Sequence, residues 1–204
     1  MSVSFDSVDD VITCGTVDVL IQDSSSQSVS LWVYPFSYGT AATELIKRGP
    51  LRLSLATVSG IRIQMGGTTA LVHRSTNNTI TINSWQHVAY TWTGVTAATS
   101  AILYVAGATM AYSLSTNGVG LTTNDAATFS IGADSDGTEG INGYISEVAV
   151  WNTVLTASQV ITLSAGRVRG LPLRVQPANL VSYWPLDDIA DGASGDGATF
   201  RDRQ

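Results

Sequence analysis

Residues 129–155 read FSIGADSDGTEGINGYISEVAVWNTVL, and this stretch decides the fold. Phe129 and Ile131 alternate with small residues, as a half-buried strand does. Asp134 to Gly140 is turn chemistry: Asp-Ser-Asp-Gly, then a second Gly. Ile141 to Val150 is rich in β-branched residues. Its alternation places Ser146, Val148 and Val150 on one face and Ile145, Glu147 and Ala149 on the other. Thr156 then offers an N-cap to a short polar turn of helix.

The same alternation extends outward. Downstream, NLVSYWPL at 179–186 reads as a strand, reached by the Pro- and Arg-bearing segment GRVRGLPLRVQP at 166–177. Upstream, Trp85 to Trp92 sets Trp85, His87, Ala89 and Thr91 against Gln86, Val88, Tyr90 and Trp92. Residues 101–105 and 110–113 read as a hairpin around Gly107. SVSLWVYP at 28–35, TELIKRG at 43–49, LRLSLAT at 51–57 and IRIQM at 61–65 are strands, with Leu51, Leu53, Leu55, Ile61, Ile63 and Met65 inward. Residues 68–74 and 79–82 read as short strands across an Asn77-Asn78 turn, and Ser2 to Thr13 as a single first strand.

The chain has 204 residues, enough for one β-rich domain with a sizeable core. It is 44% hydrophobic and 13% charged, so Ser, Thr, Asn and Gln must build most of its polar surface. A net charge of −6 repels phosphate backbones and argues against nucleic acid as a partner. No run reaches the roughly 18 apolar residues of a membrane helix. The single cysteine, Cys14, excludes an intrachain disulfide and reads as a buried thiol. No signal peptide is visible ahead of the first strand.

Four blocks resemble, in order, the laminin-G-like, concanavalin-A-like jelly-roll family: FDSVDDVITCG at 5–15, SVSLWVYP at 28–35, the stretch SWQHVAYTWTGVTAATSAILYVAGATMA at 84–111, and IGADSDGTEGINGYISEVAVWNTVLTASQV at 131–160. LVSYWPLDD at 180–188 is similar to a segment that often flanks such domains. The chain departs from the family pattern at Ser7, where Gly is usual, and at Ala106 and Ser146, where Asp is usual. The resemblance implies an all-β, two-sheet antiparallel jelly-roll sandwich with one short helix and an extended C-terminal tail. The domain is expected at 1–165, with linker, strand and tail at 166–204. A cut after Ser164 is then expected to leave a folded domain.

Three acidic groups supply oxygen ligands of the kind calcium takes: Asp6/Asp9/Asp10, Asp134/Asp136/Glu139 and Asp187/Asp188/Asp191. The second is the candidate calcium site; the alternative is a solvated hairpin turn. His87 stands where the family has a histidine. It reads either as a metal ligand or general base, or as a buried imidazole bonded to backbone; His73 has less to suggest a site. Trp32, Tyr34, Tyr38, Trp151, Tyr183 and Trp184 are candidates for a sugar-stacking platform, or else for packing. The three Glu residues, 44, 139 and 147, do not place two carboxylates at alternating positions of one strand, as glycosidases of this architecture do, so no enzyme is expected.

Two functions follow as expectations. The first is a non-enzymatic virion structural protein, a bacteriophage capsid decoration or fibre-associated adhesive module. It would be made in the host cytoplasm and self-associate or dock on other virion proteins through Arg167, Arg169, Arg174, Arg201 and Arg203. The alternative is a calcium-dependent lectin-like module, extracellular by a non-classical route, that binds surface glycans.

Overall fold

A computed structural model of the chain describes residues 2–15, 25–38, 43–57, 59–122 and 127–187. Its strands are β1 (Val3–Asp6), β2 (Ile12–Thr13), β3 (Gln27–Pro35), β4 (Thr43–Arg48), β5 (Leu51–Ala56), β6 (Gly60–Met65), β7 (Gly67–Thr69), β8 (Leu71–Ser75), β9 (Gln86–Trp92), β10 (Ala101–Val105), β11 (Ala108–Thr109), β12 (Tyr112–Thr116), β13 (Val119–Leu121), β14 (Phe129–Ile131), β15 (Asn142–Trp151) and β16 (Leu180–Trp184). Helix α1 spans Ala157–Ser164. Thr156 caps it in a capping box with Gln159, as its sequence predicts. Among the described residues no helix is long and apolar enough to cross a membrane.

All the pairings are antiparallel. The first sheet runs β1-β15-β3-β9-β10-β11. Strand β1 pairs with the first half of β15, and β16 pairs with its second half. The second sheet runs β12-β8-β6-β5-β4-β14-β2, and β13 and β7 form a small third pair. The two large sheets face each other as a sandwich. Val29, Leu31, Val33, Val88, Tyr90, Trp92, Leu103 and Ile145 of the first meet Leu45, Leu53, Leu55, Ile61, Ile63, Leu71, Phe129 and Ile131 of the second.

The first sheet is also covered on its outer face. Ala89, Tyr104, Ala149, Trp151 and Tyr183 pack there against Leu155, Val160 and Leu163 around α1 and against Val175. The Trp151 indole N–H donates to the Val175 carbonyl at 2.8 Å.

Several expectations change. Residues 2–13 form two strands in different sheets, because the chain turns at residues 6–10. Asp6 Oδ1 accepts from the Val8 amide, Asp10 Oδ2 accepts from the Asp6 amide, and Ser7 adopts φ 66°. Residues 68–74 divide between β7 and β8, which also lie in different sheets. Residues 79–82 form no strand, since the Thr79 and Ile80 amides both donate to the Ser59 carbonyl. The hairpin around Gly107 has a shorter arm, β11, and Tyr112 to Thr116 crosses to the second sheet.

Strict alternation along β15 also fails. A bulge between Ser146 and Ala149 shifts the register, with Glu147 at φ 55°. Ile145, Val148 and Val150 therefore all enter the inner core, while Ala149 and Trp151 reach the outer cluster.

The expected boundary at residue 165 is not a break in packing. Val175, Val181, Tyr183, Trp184 and Leu186 are all buried, and the Trp184 ring stacks on Phe129 at 5.3 Å. Each such side chain contributes about 2 kcal/mol, so the segment supplies a share comparable to a domain's whole stability. A chain ending at residue 165 is expected to lose its cooperative thermal transition, read by circular dichroism. A sharp transition in the truncated chain would make residues 166–187 an accessory.

Candidate functional site

The outer face of the second sheet is built by alternation. Leu51, Leu53 and Leu55 point inward on β5, which turns Arg52 and Ser54 outward; Ile61 and Ile63 do the same for Arg62 and Gln64 on β6. The register then sets two rows across β4, β5, β6 and β8. One is Glu44, Ser54, Arg62, Arg74; the other is Lys47, Arg52, Gln64, Val72.

Charge on this face is arranged around Arg52. Its Nη1 donates to Glu44 Oε1 at 3.0 Å and to Glu139 Oε2 at 3.3 Å. Lys47 pairs with Asp134. The Glu44 side chain is fully buried. Burial pushes its carboxyl up to about 7; Glu139 adds to the rise, and Arg52 and Lys47 oppose it.

Four side-chain atoms here are buried with no hydrogen-bond partner: Glu44 Oε2, Arg52 Nε, Ser54 Oγ and Arg62 Nε. Each such atom costs about 1–3 kcal/mol. Their placement on three adjacent strands makes one polar patch with both donors and an acceptor unspent. Its chemical complement is a ligand whose groups donate and accept at once, as hydroxyls do.

The sequence-derived candidates fall elsewhere. Asp134, Asp136 and Glu139 do not converge on a cation, because each carboxylate is engaged separately. Asp134 is held by Lys47 and Glu139 by Arg52. The exposed Asp136 accepts from the Thr138 amide and hydroxyl, which hold its carboxyl below the usual range. Asp6, Asp9 and Asp10 do converge, with oxygens within 4.8 Å of one another. Taken as one oxygen each, the three supply half or fewer of the six to eight ligands calcium takes. Asp188 and Asp191 lie outside the described residues.

His87 is buried, as one of its two readings has it, but neither ring nitrogen has a hydrogen-bond partner. Burial drops its pKa to about 3, so the imidazole stays neutral. It lines a small, half-open cleft with Ser30, Trp32, Glu147 and Val168. His73 is also buried, with Nδ1 at 2.7 Å from the Ala101 carbonyl. Cys14 is half-buried against the core.

Among the aromatic candidates, Trp151, Tyr183 and Trp184 are core residues. Tyr38 donates to the Ile80 carbonyl at 3.0 Å. Tyr34 joins Phe36, Trp85 and Tyr144 in a cluster of mostly tilted or edge-on rings, and the Arg167 guanidinium lies 4.1 Å above Trp85. Arg169 pairs with Asp187. Arg174 is exposed, and Arg201 and Arg203 lie outside the described residues.

Sequence reasoning missed Arg52, Ser54, Arg62, Gln64 and Arg74. The available signal was an Arg between apolar residues in LRLS and IRIQ, in a chain with few charges.

Residues 6–161 match the family described as the Concanavalin A-like lectin/glucanases superfamily. The chain belongs to that superfamily. Solved relatives share the fold. The IT-sialidase CBM40 of Ruminococcus gnavus, bound to α2,3-sialyllactose, superposes with a TM-score of 0.60 at 12% identity, over 80% of this chain and 96% of that one. A putative carbohydrate binding protein from Bacteroides ovatus gives 0.61 at 22% identity, over 87% of this chain and 49% of that one. Domain 4 of AbnA, an extracellular arabinanase from Geobacillus stearothermophilus in complex with arabinotriose, gives 0.52 at 25% identity, over 72% and 69%. No curated protein matches the sequence.

The Glu44 carboxyl fixes a pH signature. A carboxyl raised on folding is favoured in its protonated form, so its ionisation costs stability. The cost is absent below the ordinary value of 4.5, grows as pH rises, and is complete above about 7. It amounts to something on the order of 3 kcal/mol. Relative to the wild type, Glu44→Gln is expected to gain that much stability between pH 4.5 and pH 8, read from urea unfolding. Parallel pH profiles would show that Glu44 titrates normally.

Proposed function

We propose that this chain is a non-enzymatic glycan-binding module whose ligand lies on the outer face of the second sheet. The observation that carries the reading is the set of buried, unpartnered atoms of Glu44, Arg52, Ser54 and Arg62 on adjacent strands. Sugar hydroxyls donate to a carboxylate oxygen and accept from guanidinium and hydroxyl donors, so one ring complements all four; Glu44 and Ser54 are fully buried, so a ring reaches them only after neighbouring side chains shift. The relatives support the same reading, since one is named a carbohydrate binding protein and another is in complex with arabinotriose.

No hydrolytic step is assigned to this face. Glycoside hydrolysis needs an acid and a base or nucleophile at a set separation. Here Glu44 and Glu139 share one arginine, and Asp134 is held by Lys47. The virion reading loses ground on a separate count. It drew on arginines free to dock, and Arg167 and Arg169 are engaged within the chain.

A glycan array should show retention of at least one oligosaccharide, with titration calorimetry supplying the affinity. Ser54→Ala and Gln64→Ala are expected to weaken it about tenfold together, the loss of one to two hydrogen bonds. Trp85→Ala, on the opposite sheet, should leave it unchanged. The reverse pattern would move the site to the aromatic cluster, and an array with no retained glycan would overturn the reading.

A further inference from the structure

We propose that the glycan taken by this face carries a carboxylate, and that Arg62 and Arg74 grip it. The proposal rests on the glycan reading above and adds the chemical class of the ligand.

Arg62 and Arg74 stand directly opposite each other on β6 and β8. Like charges in a cross-strand pair repel. The other two cations of the face have carboxylate partners: Lys47 has Asp134, and Arg52 has Glu44 and Glu139. Among the described residues neither Arg62 nor Arg74 has an ion-pair partner. Arg74 Nε donates to Ser113 Oγ at 3.3 Å, and Arg62 Nε is buried and unpartnered. Burial lowers the Arg62 pKa; Glu44 and Glu139 oppose the change, and Arg52 and Arg74 add to it.

A neutral sugar leaves the repulsion between the two guanidiniums in place. A carboxylate removes it and fits the planar donor fork of an arginine with two parallel bonds. An ammonium or sulfur ligand has no counterpart on these residues. The chain's net charge of −6 gives a diffusing acid no general attraction, so an acidic ligand is held only where local cations face it. The same row continues to Ser54 and Glu44. Four strands span about 14 Å, so a sugar whose carboxylate sits at Arg62 and Arg74 extends its hydroxyls, or the sugar linked to it, toward Ser54 Oγ and Glu44 Oε2.

The test is titration calorimetry on the full chain with matched probes: trigalacturonic acid against its methyl ester, and α2,3-sialyllactose against lactose. At least one acidic probe is expected to bind tenfold or more tightly than its neutral counterpart, with affinity falling as salt rises. Arg74→Gln should erase that preference while changing neutral-sugar binding less than twofold, and Arg62→Gln should erase it while weakening neutral-sugar binding as well, since Arg62 also faces the sugar hydroxyls. Arg62→Gln should also keep or raise the melting temperature, since it removes a repulsion. Equal binding of acidic and neutral probes, or an acidic preference that survives both substitutions, overturns the proposal and leaves the glycan reading standing. An absence of binding to every glycan overturns both.

Discussion

The structure depends on an asymmetry between its two sheets. Among the described residues the first is packed on both faces, and the second on one. Leu155, Val160 and Leu163 around α1, together with Val175, cover the outer side of β9, β10 and β15, so that side carries Ala89, Tyr104, Ala149 and Trp151 rather than charge. Among the described residues no such layer lies over Arg52, Arg62, Gln64 and Arg74. The inner sides of both sheets must be apolar, and most of the first sheet's outer side is taken. The second sheet's outer face is then where a chain with only 13% charged residues concentrates its polar groups.

The bulge at Glu147 makes the two-sided burial work. Without it Ile145 and Val148 would lie on opposite faces, and either the sandwich core or the helix-covered layer would lack a side chain. The extra residue lets both enter the inner core and still delivers Trp151 to the outer one. Glu147 itself is left with a buried carboxylate, which accepts from the Tyr183 hydroxyl at 2.6 Å. Burial raises its pKa, and the Tyr183 bond pulls the other way. That bond ties β15 to β16, so the irregularity and the C-terminal strand support one another.

Periodicity made the strands legible, and local polar chemistry hid their ends. LRLSLA, IRIQM and QHVAYTW declare themselves because each alternates for several residues with one face in the core. The break at Ser7 depends on Asp6 and Asp10 folding back on nearby amides, and the bulge at Glu147 on a single φ; neither leaves a period. The acidic loop was hard to read for a different reason. Asp134, Asp136 and Glu139 look like a cluster in sequence, yet Lys47 and Arg52, some 87 residues away along the chain, claim two of them. Conversely, Glu44, Ser54, Arg62 and Arg74 fall on four separate strands and meet only through register.

That meeting is costly to the fold, and the cost is what motivates the proposed site. Four buried atoms without partners and an opposed arginine pair work against folding by several kcal/mol in sum, a sizeable fraction of a domain's net stability. Apolar or short polar side chains at the same positions would remove the penalty without disturbing the inward residues, because alternation makes the two faces independent. Keeping Glu44 buried beside Arg52, with Arg62 facing Arg74, is the feature on which the proposal of an external partner rests. On the proposed reading, hydroxyls and a carboxylate would satisfy these groups, which adds to affinity without any new apolar contact. This is also why the aromatic cluster of the other sheet is the weaker candidate: its rings satisfy each other and Arg167, and they leave little for a ligand to complete.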